Sequence, residues 1–218
     1  TPAKLPQFVD VVFNALHGEF GEDGKVQKIL DLFNIPYTGS TAVPSAVGMN
    51  KDLAKKYFTA VGIKVPRGVV VGRGEEVSEV VARVGAEIHA PFVVKPLTGG
   101  SSVGLSLAHN DKELIFAIER ALAHAEKALI EEYVIGREMT IGVVDSSGGG
   151  SSYATPPLEI LLPDGTLFDY DQKYKNLTHP VGPARMQSGE RRALEDAAIR
   201  AHIHLGARHY ARYDFILT

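Results

Sequence analysis

Apolar positions follow two rhythms along this chain. Residues 9–16, VDVVFNAL, form a short apolar run that predicts a buried strand ending at the polar turn HGEFGEDG. Beyond Asp23, the apolar set Val26, Ile29, Leu30 and Phe33 recurs at helical spacing, and Asn34 and Pro36 stop that helix. A second helix is predicted over 51–61, closed by Gly62 with Pro66 beyond it, then a strand at 68–71 and a helix near 77–84. The segment PFVVKPLTGGSSVGLSLA reads as strand, Gly/Ser-rich loop, strand, which predicts a hairpin rather than a strand-to-helix turn. Residues 111–125 are amphipathic, with Leu114, Ile118, Ala121 and Leu122 on one stripe and Asn110 or Asp111 as the cap. ALIEEY and MTIGVV are strands, DSSGGGSS is a connection, and PPLEILL is a strand that turns into the polar stretch FDYDQKYKNLTHPVGPAR. A helix over 189–205 and the apolar strand YDFILT follow. No repeat interrupts the pattern, and the stretch 43–49 is the best candidate for a domain boundary.

Strands joined by short turns, interleaved with helices, predict an α+β fold with a small α/β piece at the front. At 218 residues the chain has room for one large or two modest domains. A formal net charge of −3 gives no general pull toward nucleic acid or an anionic membrane, so any phosphate must be held by a local cluster. The absence of cysteine removes disulfides, thiolate nucleophiles and Cys-based zinc sites. No apolar run approaches the roughly 20 residues of a membrane span, and no basic-then-apolar leader opens the chain. The expectation is a cytoplasmic, soluble protein, or a piece of one, because the first residue is Thr1 rather than Met.

Four segments could carry chemistry. Lys95 precedes a loop, 96–104, in which Gly99, Gly100, Ser101, Ser102 and Gly104 let backbone N–H groups approach an anion. The same composition also serves an ordinary flexible hairpin, and the Walker spacing GxxxxGK[ST] is absent. Glu131, Glu132, Tyr133 and Val134, followed by Glu138, could present a strand edge and carboxylates to a nucleoside, or be a solvated strand end. Tyr170 to Tyr174, with Lys173, sit in a long loop of the kind that forms lids, or in a surface loop stabilised by tyrosine packing. Arg212 and Asp214 head the final strand, where arginine could stabilise anionic charge and aspartate could take Mg²⁺, or the two could form a strand-end ion pair. The eight histidines show no metal pattern, since His202 and His204 lie two apart in a helix; His17 ends the first strand, where open sheets place ligands.

Taken in order, LHGEFGEDGKVQKILDLFNIPYTGS, MNKDLAKKYFTAVGIKVP, VVKPLTGGSSVGLS, LIEEYVIGREMTIGVV, PPLEI, FDYDQKY and ARYDFIL resemble the D-alanine–D-alanine ligase family of the ATP-grasp superfamily. The resemblance covers nearly the whole chain, and LHGxxGEDG with KPxxxGSSVG is its most specific pair. It implies an ATP-grasp fold of two α+β subdomains preceded by part of a Rossmann-like pre-ATP-grasp domain, with borders at 1–48, 49–134 and 135–218. It implies ATP-dependent joining of two D-alanines through a D-alanyl phosphate for peptidoglycan precursors, with Mg²⁺ (Mn²⁺ as a substitute), in a homodimer. By resemblance, Lys51, Lys95 and Lys173 hold ATP phosphates, and Ser101, Ser102 and Val103 close over the γ-phosphate. Glu131, Glu132, Tyr133 and Val134 match the adenine-binding edge, and Glu138 the ribose contact. Tyr174 with Ser101 organises the first D-alanine, His17 lies near it, Arg212 stands at the reacting centre and Asp214 is a Mg²⁺ ligand.

The resemblance also implies an amine rather than the hydroxyl of D-lactate as second nucleophile, because family members that use D-lactate typically lack a tyrosine at the position of Tyr174. The family's N-terminal glutamate has no match in residues 1–10, and its Glu-x-Asn metal segment has none before Thr218. The expectation is that these residues alone bind Mg²⁺–ATP weakly and ligate poorly, as part of a longer protein. The alternatives are another ATP-grasp ligase, including the D-Ala-D-Lac type, and a non-catalytic nucleotide-binding remnant.

Overall fold

Two antiparallel sheets, each covered by helices, account for most of the regular structure. The computed structural model describes residues 4, 7–100, 102–146, 151–161 and 179–218. The first sheet is built from β1 (Gly68–Gly72), β2 (Phe92–Pro96), β3 (Ser106–Ala108) and β4 (Lys127–Glu132), in the order β1-β4-β2-β3. Its inner face packs beneath α4 (Val77–Glu87) and α5 (Asp111–Leu122). Val71, Val94, Ile130, Val84 and Leu114 meet there, all buried. The amphipathic stripe read from the sequence is the face α5 turns inward. Asn110 caps that helix by accepting the Glu113 N–H at 3.1 Å.

The second sheet centres on β5 (Arg137–Val144). On one edge β5 pairs along its whole length with β9 (Tyr210–Leu217); β6 (Tyr153–Ala154) and β7 (Leu158–Leu161) share the other edge, and β8 (His179–Val181) pairs with β7. Helix α6 (Ser188–Leu205) lies against this sheet, burying Leu194, Ala198, Ala201 and His202. Gly206, at φ +70°, ends it in the left-handed conformation that glycine adopts without strain.

Helix α3 (Lys51–Ala60) joins the two sheets. Asn50 caps its start by accepting the Leu53 N–H at 3.1 Å, while Phe58 and the following Ile63 pack into the second core. Between the sheets the chain needs only Tyr133, Val134, Ile135 and Gly136 to pass from β4 to β5.

At the front, α1 (Lys25–Leu32) and α2 (Ala42–Met49) flank a small core of Leu30, Ile35 and Tyr37. One expectation fails here. Residues 9–16 are not a strand: only Val12 pairs, in a parallel bridge to Tyr37. A strand is defined by its ladder, and an apolar run alone does not supply the second partner. The stretch 43–49 is helical and lies in α2. Its Pro44 falls in the first helical turn, where a missing N–H costs nothing.

Candidate functional site

Glu131 is the hub of the site. It lies near the end of β4, paired on one side with Gly68 and on the other with Val93, and is only 3% exposed. Its carboxylate is gripped from two directions: Lys55 Nζ lies 2.6 Å from Oε1, and Lys95 Nζ pairs with Oε2. Lys95 reaches it from β2, and Lys55 from α3, one turn beyond Lys51.

Lys51 stands at the mouth of the glycine–serine loop. Its ammonium donates to the carbonyls of Pro96 (2.9 Å) and Gly99 (3.0 Å), and its own N–H donates to Leu97 O (3.2 Å). The β2–β3 hairpin predicted from sequence is present, with Gly99 and Gly104 at positive φ and Ser102 also left-handed at +56°. Val103 is exposed at the loop's outer side. Two ammonium groups therefore hold one carboxylate, and a third, that of Lys51, lies near enough to feel the charges of Lys95 and Glu131, an excess of two positive charges. That excess, beside a backbone able to turn N–H groups outward, is the electrostatic requirement for a polyphosphate.

Burial first, and then the like charge of Lys95, push the Lys51 ammonium down from 10.5 to about 8, with Glu131 opposing. The negative charge of a bound phosphate would offset both effects, so polyphosphate binding should take up a proton above pH 8. We expect affinity to fall as pH rises from about 8 to about 10.5, by up to roughly tenfold per unit. Titration calorimetry in buffers of different ionisation enthalpy reads the proton; no uptake at pH 9 would remove Lys51 from the site. The sign for the unliganded chain is opposite. Its depressed pKa means the unfolded state binds more protons across that window, so this group's destabilising effect is full below pH 8 and fades above it.

Gly68 makes room for the hub. A Cβ there would lie 2.5 Å from Ile130 O and 2.9 Å from Glu131 Cγ. Gly68→Ala should therefore displace the carboxylate and cost about 1–3 kcal/mol, readable as a lowered Tm. An unchanged Tm would mean that the strand yields freely.

Glu132, next along, turns outward. Arg67 N–H donates to its Oε1 at 2.7 Å and the guanidinium to Oε2 at 3.1 Å; the backbone bond chiefly holds its carboxyl below the ordinary range. Tyr133 is anchored through its N–H to Pro91 O (3.0 Å), and Val134 lies on the crossing to β5. The four residues matched to an adenine edge thus lie where one sheet hands over to the other, with both glutamate side chains engaged by cations.

Across that crossing, Glu138 and Thr140 on β5 share a face with Arg212 and Asp214 on β9, because directly paired residues point the same way. Asp214 accepts from Thr140 Oγ1 at 2.7 Å and from Arg212 Nη2 at 3.1 Å. Arg212 and Asp214 are both exposed, forming the ion pair weighed from the sequence. Burial first, then the nearby Asp214 charge, hold the Glu138 carboxyl above its usual range. Among the described residues no three His, Cys, Asp or Glu converge on a metal position. One or two carboxylates completed by substrate phosphates is nonetheless the usual way a protein holds Mg²⁺, and Asp214 fits that part.

His17 is exposed in the turn after the Val12 bridge, where the Gly18 N–H donates to Glu22 Oε2 at 2.5 Å. Ser101, Lys173 and Tyr174 lie outside the described residues. Lys55 was not singled out from sequence, although its position four residues after Lys51 puts both on one helical face.

The sequence matches the family models described as D-ala D-ala ligase N-terminus over residues 2–40 and D-ala D-ala ligase C-terminus over residues 57–218. It is 40% identical over 210 residues to a D-alanine–D-alanine ligase of Halalkalibacterium halodurans, covering 96% of this chain and 67% of that protein. It is 38% identical to the one from Syntrophotalea carbinolica, covering 96% of this chain and 65% of that protein. The fold is similar to the crystal structure of the VanG D-Ala:D-Ser ligase from Enterococcus faecalis, with a TM-score of 0.86 at 33% identity, over 96% of this chain and 60% of that one. The chain thus spans about two thirds of the length of the curated relatives it matches. With a match to the C-terminal model across both sheets and to the N-terminal model before them, this chain belongs to the D-alanine–D-alanine ligase family.

Proposed function

We propose that the protein containing this chain joins two D-alanines at the expense of ATP, making D-alanyl-D-alanine for peptidoglycan precursors. The observation that carries the reading is the excess of positive charge around Glu131, beside the glycine–serine hairpin and one short crossing from Arg212 and Asp214. In this reading Lys51 and Lys95 hold the ATP phosphates and the hairpin, with Ser101, Ser102 and Val103, closes over the terminal one. Residues 131–134 border the adenine, Glu138 takes ribose hydroxyls, and Lys173 adds a further phosphate contact.

The reaction has two steps. A carboxylate oxygen of the first D-alanine bonds to the γ-phosphorus and ADP leaves. The amine of the second D-alanine then bonds to the acyl carbon, phosphate leaves, and the amine loses its proton. Negative charge grows on oxygen in both steps. Fixed donors in a water-poor site stabilise it more than bulk water does, since they need no reorganisation. Lys51 and Lys95 serve the ATP side of the transfer and Arg212 the acyl side. Asp214 would hold Mg²⁺ or Mn²⁺, which would neutralise charge shared by the phosphates. His17 would border the first D-alanine, and Tyr174 with Ser101 would organise it beneath the lid.

Tyr174 supports an amine as the second nucleophile. The D-Ala:D-Ser ligase among the structural neighbours makes D-serine the other amine to test. We further propose the borders 1–48, 49–134 and 135–218, a cytoplasmic site of action where ATP is supplied, and a homodimer. Among the described residues no helix is long and apolar enough to cross a membrane.

The test is ADP release by the purified full-length protein with D-alanine alone, then with D-serine or D-lactate as the second substrate. D-Alanine should support release and form the dipeptide, with D-lactate poor near neutral pH. Lack of any D-alanine dependence would overturn the function, and preference for D-lactate would overturn the role of Tyr174.

A further inference from the structure

Tyr213 lies on β9 between Arg212 and Asp214, and strand alternation sends its ring to the opposite face, into the second core. There its hydroxyl stands 3.2 Å from His202 Nδ1, and His202 Nε2 stands 3.1 Å from Asp145 Oδ1. A tyrosine O–H donating to Nδ1 leaves the ring proton on Nε2, directed at the carboxylate. His202 is 1% exposed and sits on the buried face of α6. Asp145, just past the end of β5, also accepts from Ser152 Oγ (2.8 Å) and from the His209 N–H (2.5 Å), while its own N–H donates to His209 O (2.8 Å). His209 immediately precedes β9 and has a positive φ, +66°, an unfavourable conformation for a residue with a Cβ that these bonds hold in place. The edge of the Phe58 ring from α3 meets Tyr213 at 6.3 Å between centroids. One buried side chain thus touches the helix that begins at Lys51, the helix that carries His202, and the strand that carries Arg212 and Asp214.

We propose that His202 and Asp145, acting through the Tyr213 hydroxyl, are positioning residues for the Arg212–Asp214 pair. The β5–β9 ladder fixes which residues are opposite one another, but it leaves the tilt and depth of β9 soft. A hydrogen bond from beneath, midway between the two functional side chains, removes that freedom. Packing alone does not call for a polar trio in this core, because an apolar side chain would fill the same space. A fully satisfied buried network selects one arrangement. The proposal rests on the function proposed above, in which Arg212 and Asp214 face the reacting phosphate.

The full-length protein carrying Tyr213→Phe keeps the ring and loses only the hydroxyl. Leu194→Ala, which thins the same core without touching the network, is the control for lost stability. Three quantities are compared: Tm, Mn²⁺ affinity in the presence of ADP by electron paramagnetic resonance, and kcat against KM for D-alanine. Tyr213→Phe should weaken Mn²⁺ binding and lower kcat, each by about tenfold, with KM for D-alanine little changed, as displacement of a group by a fraction of an ångström predicts. Leu194→Ala should lower Tm at least as much and leave Mn²⁺ affinity as it was. A Tyr213→Phe protein altered only in Tm, or two variants that shift Mn²⁺ affinity alike, would overturn the positioning role. Wild-type protein that binds Mn²⁺–ADP yet forms no dipeptide would overturn the ligase reading, and the Mn²⁺ comparison would still decide the part played by Tyr213.

Discussion

Glu131→Gln should lower the stability of the unliganded protein by about 3–5 kcal/mol, the usual result of stripping one partner from a buried ion pair. For a chain of this size that is a fall in Tm of roughly 10 °C. The glutamine keeps the volume and can still accept one hydrogen bond, but Lys55 and Lys95 lose the charge that now lies against both of them. Neither lysine can swing into solvent without unpacking, since their side chains are only 17% and 24% exposed. A polyphosphate supplies the missing negative charge, so saturating ATP or pyrophosphate should recover about 2–3 kcal/mol of the loss. Thermal unfolding followed by circular dichroism, with and without pyrophosphate, reads both effects. A variant melting within about 2 °C of the parent would mean that Glu131 is not the electrostatic centre of the site.

Arg212→Ala should show the reverse profile. The side chain is largely exposed and its only described carboxylate partner, Asp214, is exposed with it, so folding should change by no more than about 0.5 kcal/mol. Turnover, in contrast, should fall by about 10²–10³, the loss typical of one preorganised donor facing growing negative charge. Arg212→Lys should recover only part of this, because a point charge cannot reproduce the planar two-point contact of a guanidinium. Steady-state kinetics with D-alanine and ATP, alongside Tm, separates the two effects. A kcat for Arg212→Ala within about threefold of the parent would remove Arg212 from the reacting centre.

The features legible in the sequence are those written locally. The Gly/Ser content of 99–104 between two β runs specifies the hairpin, and the stripe through Leu114, Ile118 and Ala121 specifies α5. The site was less legible because its charges are sorted by sheet register. Glu131 and Glu132 are neighbours of identical chemistry, yet alternation sends the first to two lysines in the interior and the second to Arg67 outside. Nothing in the dipeptide says which is which until β4 is paired on both sides. Lys55 was readable in principle from its helical offset to Lys51. His202 was too, since it continues the buried series Leu194, Ala198, Ala201 along α6. The run 9–16 misled because apolar content implies burial in something, not a ladder in particular, and the helix over 42–49 was not read from the sequence, although Pro44 falls in its first turn, where proline is tolerated.

The pairing of β5 with β9 has a consequence for how the molecule is made. Leu217 sits opposite Arg137 and Tyr210 opposite Val144, so every rung of that ladder joins stretches far apart in the chain. A nascent polypeptide can complete the first sheet while still being synthesised, but β5 must wait with one edge bare until β9 has left the ribosome. Closing so wide a loop is slow, and an unpaired strand invites the wrong neighbour in the meantime.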